Sequence, residues 1–174
     1  DAGVTALADA LRSDSIHPSD LYLSMNKVGA PGASALASAL STSRAMEKLR
    51  RLHLADNRIG DEGALALALA LRSSRAPPSL RLLNLQNNSI GDRALVELAR
   101  TLGAGGSLSR SLEELLLNAN RVGDAGATAL AAAIRSGATK LRTLSMRHNV
   151  LTPGGTAEAE LRRVCKERGV KLSI

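Results

Sequence analysis

The chain has 174 residues, a formal charge of +7 and a pI near 10.5, with 44% hydrophobic residues but no Phe, no Trp and a single Tyr. A core without large rings excludes an irregular globule anchored on aromatics and asks for aliphatic elements packed at close, regular distances. Cys165 is the one cysteine, which excludes an internal disulfide framework and points to a reducing, intracellular and cytoplasmic setting; no apolar run reaches the ~18 residues of a membrane span, so no membrane partner is expected.

The first element is predicted from a match. Asp1-Ala2-Gly3 repeats Asp124-Ala125-Gly126, so the chain enters in the middle of a unit, with a helix running to about Arg12. We expect this opening stretch to be a partial repeat, 1–17, of a fragment whose preceding strand lies upstream.

Whole units follow, and five asparagines fix their frame. Asn26, Asn57, Asn88, Asn120 and Asn149 lie 31, 31, 32 and 29 residues apart. Five and three residues before each stand Leu21 and Leu23, Leu52 and Leu54, Leu83 and Leu85, Leu115 and Leu117, Leu144 and Met146. Eight residues before stand Leu49, Leu80, Leu112 and Leu141, with Pro18 in the first unit. Period-two alternation predicts a short strand with one buried face. Each Asn ends its strand, and its amide is expected to satisfy backbone groups in the turn and in the next unit.

After each Asn comes a second pattern: "NKVGAPGASALASAL", "NRIGDEGALALALAL", "NSIGDRALVELARTL" and "NRVGDAGATALAAAI". Gly and Asp shape a turn, and Asp61, Asp92 and Asp124 are expected to N-cap the helices that follow. Ala and Leu are strong helix formers, and Ala on the inner face lets a helix approach the strand layer. The last unit departs, with Thr152 and Pro153 in place of Gly and Asp. Its helix, about Thr156 to Arg168, is more polar than the others, and "VKLSI" begins one more strand, as expected of a terminal cap. We expect one array over 1–174, with repeats at about 18–48, 49–79, 80–111, 112–140 and 141–169 and a terminal strand at 170–174. Between helices and strands, the loops at 41–48, 73–79, 103–111 and 136–140 are expected to be surface insertions, the Gly-rich one at 103–111 the most flexible.

The motif LxxLxLxxNxIGDxGAxALAxAL resembles the leucine-rich repeats of ribonuclease inhibitor, NOD-like receptors and the Ran GTPase-activating protein. The resemblance implies an α/β leucine-rich repeat solenoid: a right-handed βα horseshoe segment with parallel strands on the concave face and helices on the convex face. It also implies binding of a partner protein on the concave face.

Strand register then names the candidate surface. The non-leucine positions form three rows: Asp20, Arg51, Leu82, Glu114, Thr143; Tyr22, His53, Asn84, Leu116, Ser145; and Ser24, Ala55, Gln86, Asn118, Arg147. From these we take Tyr22, Arg51, His53, Leu82, Asn84, Gln86, Glu114, Leu116, Asn118 and Arg147 as candidate partner-binding residues. Tyr22 is the natural anchor, and Leu82 and Leu116 are expected to form a small apolar patch. Lys27, Arg58 and Arg121 form a basic row on the Asn-side rim.

No chemistry competes with binding. His17, His53 and His148 are isolated, no Cys/His spacing makes a zinc site, and no phosphate-binding P-loop is present. We expect no enzyme activity, no cofactor and no metal. Two alternatives stay open: a regulatory module of a GTPase-activating or receptor protein, by the resemblance, and a basic nucleic-acid-binding or ribonucleoprotein subunit, by net charge. The second lacks any aromatic platform for stacking bases.

Overall fold

The computed structural model describes residues 1–13, 16–73, 76–103, 105–137 and 139–174. Parts of the first unit and of the expected loops (Asp14, Ser15, Ser74, Arg75, Ala104 and Ala138) lie outside the described residues.

Strand and helix alternate along the whole chain. The order is α1 (Ala2–Arg12), β1 (Asp20–Tyr22), α2 (Ala30–Thr42), a 3-10 turn (Arg44–Lys48), β2 (Arg51–His53), α3 (Gly60–Leu71), β3 (Leu82–Asn84), α4 (Asp92–Leu102), β4 (Glu114–Leu116), α5 (Asp124–Arg135), β5 (Thr143–Ser145), α6 (Thr156–Arg168) and β6 (Lys171–Ser173). All strands are parallel and lie in sequence order in one open sheet. Parallel neighbours need a crossover, and each of the helices α2 to α6 supplies one. The architecture is an α/β solenoid.

The core lies between the two layers. Leu52, Leu83, Leu115 and Leu144, at the centres of their strands, are fully buried. Each helix turns a face of the same spacing toward them, such as Gly63, Ala64, Leu67, Ala68 and Leu71 of α3. Small residues bring successive helices close: a Cβ added at Gly63 would sit 2.9 Å from the Cβ of Ala33 in α2. A gap near β3, lined by Leu83, Leu85, Ile90 and their neighbours, is about 10 Å³, too small and too apolar to hold water.

The asparagines stitch the strand ends together. The Asn88 amide donates to the carbonyls of Leu54 at 2.8 Å, Leu85 at 3.3 Å and Gln86 at 2.9 Å, and its oxygen accepts the Ile59 N–H at 3.3 Å. Asn57, Asn120 and Asn149 repeat this arrangement, each bridging to the preceding unit. Among the described residues Asn26 has no strand on its outer side and bonds only within its own turn, and it is exposed.

The aspartates correct an expectation. None of Asp61, Asp92 and Asp124 makes a side-chain cap bond to its own helix. Asp61 Oδ1 instead accepts the N–H groups of Gly91 and Ala94, at the start of α4 (2.9 and 3.1 Å). Asp92 does the same for Gly123 and Gly126 of α5 (2.7 and 3.0 Å), and Asp1 for Gly29 and Gly32 of α2 (2.7 and 3.0 Å). Each satisfies two orphan donors at the positive end of the next helix, so capping is passed between repeats rather than kept within one. Ala30 breaks the relay, and Gly60 donates to the Asn88 carbonyl instead, at 2.9 Å.

Asp124 meets Thr152 rather than a helix start. It accepts the Thr152 hydroxyl at 2.6 Å and its N–H at 2.9 Å, which together lower its pKa, the hydroxyl most. The Thr152-Pro153 turn delays α6 until Thr156. At its other end α6 stops at Gly169, whose left-handed backbone (φ 68°) returns the next N–H, that of Val170, to the Cys165 carbonyl.

The loops are also less peripheral than expected. Ala45 and Met46, in the loop at 41–48, are fully buried in a 3-10 turn. Leu108, in the loop expected to be the most flexible, is fully buried and its N–H donates to Thr101. One or two apolar residues in an otherwise polar loop are thus drawn in to close the core.

Candidate protein-binding face

The side of the sheet turned away from the helices carries the candidate residues. Asp20 pairs with Arg51, Arg51 with Leu82, Leu82 with Glu114 and Glu114 with Thr143; the row from Tyr22 to Ser145 is likewise continuous. The third row lies two residues past each strand. Backbone bonds of the parallel ladder still reach it, such as Asp56 N–H to Gln86 at 2.9 Å and Asn87 N–H to Asn118 at 2.9 Å.

The rows differ in what they offer. Tyr22 is 66% exposed and lies flat on His53, ring centres 4.7 Å apart at 14°. Beside it Arg51 pairs with Asp20, which also accepts the Ser19 hydroxyl at 2.8 Å. The Arg51 guanidinium, then Ser19, hold the Asp20 carboxyl down to about 2. This end of the sheet therefore presents an aromatic pair fixed beside a fixed ion pair.

The middle of the face is flatter. Leu82 and Leu116 are half-buried and sit diagonally, since Leu82 pairs with Glu114 and Leu116 with Asn84. Asn84, Gln86 and Asn118 are bonded inside the sheet. Asn118 donates to Gln86 Oε1 at 2.9 Å and accepts the Ser145 hydroxyl at 2.7 Å and the Arg147 N–H at 2.8 Å; Asn84 accepts the Gln86 N–H at 3.1 Å. They hold the surface rigid more than they offer free donors. Glu114 and Arg147 are exposed.

Sequence reasoning missed Met25, which is 83% exposed next to this face. It occupies the position before the Asn, and there every repeat turns left-handed: Met25, Asp56, Asn87, Ala119 and His148 all have φ between 50° and 58°. Asp56 and Asn87 were the available signal, since Asn and Asp tolerate that region best.

Cys165 is buried, and desolvation pushes its thiol up to about 11. Among the described residues no group of three or more His, Cys, Asp or Glu side chains gathers where it could hold a metal ion. Among them too, no helix is long and apolar enough to cross a membrane.

A leucine-rich repeat family model matches residues 19–37, 45–68, 76–99 and 108–131. The chain belongs to the leucine-rich repeat family. A search of curated proteins found no match. Among solved structures, leiomodin-1 actin-binding site 2 is similar with a TM-score of 0.50 at 16% identity, over 95% of this chain and 75% of that one. An internalin (InlF) from Listeria monocytogenes is similar with a TM-score of 0.44 at 19% identity, over 98% of this chain and 50% of that one. At such identities the likeness concerns the fold alone.

Proposed function

We propose that this leucine-rich repeat chain is a non-catalytic protein–protein interaction scaffold that holds a partner protein on its concave strand face. The observation that carries the reading is the exposed Tyr22 ring, stacked on His53 beside the Asp20–Arg51 pair on a hydrogen-bonded sheet. An aromatic already fixed in place gives a partner a large contact area at small ordering cost, which is the character of an interface anchor. The half-buried Leu82 and Leu116 extend that surface across the middle strands. The solved leiomodin-1 structure is named for an actin-binding site. Its shared fold supports reading this array as a binder of protein, with the partner set by the side chains of these rows. A full helix in every unit of 29–32 residues supports the ribonuclease-inhibitor-like class and the repeat divisions given above.

Tagged chain is to be purified from cells with its bound proteins, and the captured partner's affinity measured for wild type and for a Leu82→Asp, Leu116→Asp double variant. Because both side chains lie on the open face, thermal unfolding is expected to stay nearly unchanged. Affinity is expected to fall about tenfold or more, as charges replace apolar contact. Unchanged affinity would remove the strand face from the reading.

A further inference from the structure

The rim where helices return to strands carries a second feature, separate from the strand face. A recess of about 210 Å³ opens there, lined by Arg50, Arg81, Arg110, Lys140, Ser111 and Glu113, among others. Backbone bonds fix its frame. Arg81 N–H donates to the Arg50 carbonyl and Glu113 N–H to that of Arg81, both at 2.8 Å; Lys140 N–H donates to Ser109 at 2.9 Å, tying the loop before β5 to the loop before β4.

Charge in the recess is unbalanced. Glu113 is its one acidic group, 3.7 Å from the Arg81 guanidinium. Arg50, Arg110 and Lys140 are exposed and make no ion pair among the described residues. Cations gathered in a concavity focus a positive potential, which draws a counter-anion.

An independent observation points the same way. Ser111 is nine-tenths buried, and its hydroxyl is the one buried side-chain polar atom among the described residues with no hydrogen-bond partner. Buried hydroxyls are nearly always satisfied. A hydroxyl can donate as well as accept, and at the wall of a recess lined by cations an anion's oxygen is a partner to which it can donate.

We propose that this recess binds a small molecule carrying two or more phosphate groups. Arginine forks match phosphate oxygens, and several cations around one recess suit more than one negative charge. The site is compact rather than a track. Along the rim the row Arg50, Arg81, Glu113, Arg142 is interrupted by Glu113, with the exposed Glu114 beside it. A nucleic-acid strand lying along that row would meet both carboxylates.

Calorimetric titration of the 174-residue chain with pyrophosphate tests the site. Saturable binding of one pyrophosphate per chain is expected, weakened about tenfold or more by an Arg50→Gln, Arg110→Gln double variant. An Arg58→Gln, Arg121→Gln double variant, on the opposite rim, is expected to change affinity by less than about twofold. Ser111→Ala is expected to weaken binding while leaving the anion-free melting temperature unchanged or higher, because it removes an unsatisfied hydroxyl. Three results would overturn the proposal: no saturable binding, equal losses in the two double variants, or tighter binding of a short single-stranded RNA that displaces pyrophosphate.

Discussion

Asn88→Ala is expected to lower the unfolding free energy by about 2–3 kcal/mol, since it takes a donor from three buried carbonyls and the side-chain acceptor from a buried N–H at once. Asn88 is 1% exposed, and its amide reaches three carbonyls on two successive units. Truncation would take one of two donors from each of the Leu54, Leu85 and Gln86 carbonyls, which keep those of Asn57, Asn120 and the Asp56 N–H, and would leave the Ile59 N–H without its side-chain acceptor. Water has little access to replace them. Asn26→Ala is the control, because Asn26 is exposed and, among the described residues, bonds only to Leu23 and Ser24 in its own turn. Its loss is expected to cost under about 1 kcal/mol, as for a hydrogen bond that water can replace. Urea unfolding of the two variants checks the contrast. Equal costs would mean that the asparagines act locally and do not couple the repeats.

Leu83→Ala is expected to cost about 2–5 kcal/mol, the range for truncating a buried leucine. Leu83 is fully buried at the centre of β3, between Leu52 and Leu115 on the adjacent strands. Removing its side chain enlarges a gap already present near β3. Leu82, one residue earlier, points to the other face and is half-buried. Leu82→Ala is expected to cost less than about 1 kcal/mol, as at a partly exposed site. The pair reads the register directly, because a one-residue slip exchanges the two faces. Similar costs at both positions would contradict the assigned faces.

The strand frame was legible because it rests on a single spacing. Each Asn stands five residues after a strand-centre leucine, and that interval survives every change in loop length. The last helix was legible too, since Thr152-Pro153 cannot form the turn used elsewhere and Gly169 ends the helix. The capping relay was not. An Asp opening a helix reads the same whether it caps its own helix or the next, and only stacking brings Asp92 to the N–H groups of Gly123 and Gly126. The buried positions of Met46 and Leu108 were hidden for a related reason. One apolar residue in a polar loop carries no period, so burial there is decided by neighbouring units.

The candidate face was legible as register and not as exposure. Alternation places Leu82, Leu116, Gln86 and Asn118 on it, but side chains from adjacent strands decide how far each is covered and which amides bond to each other. The stacking of Tyr22 on His53 needed two residues 31 apart to meet across a ladder, which the shared position in the repeat foreshadowed. The basic recess was the clearest omission. Two of its arginines, Arg50 and Arg81, stand seven residues before an Asn, a periodicity visible in the sequence once the frame is set.

The most direct test of the strand-face reading is photo-cross-linking in cells. A benzophenone side chain placed at Tyr22 or Leu116 reports on the strand face, and one at Leu69, an exposed position on α3, reports on the helical face. The account expects one partner protein to be captured from Tyr22 and Leu116 and not from Leu69. Capture of the partner from Leu69 alone would contradict it.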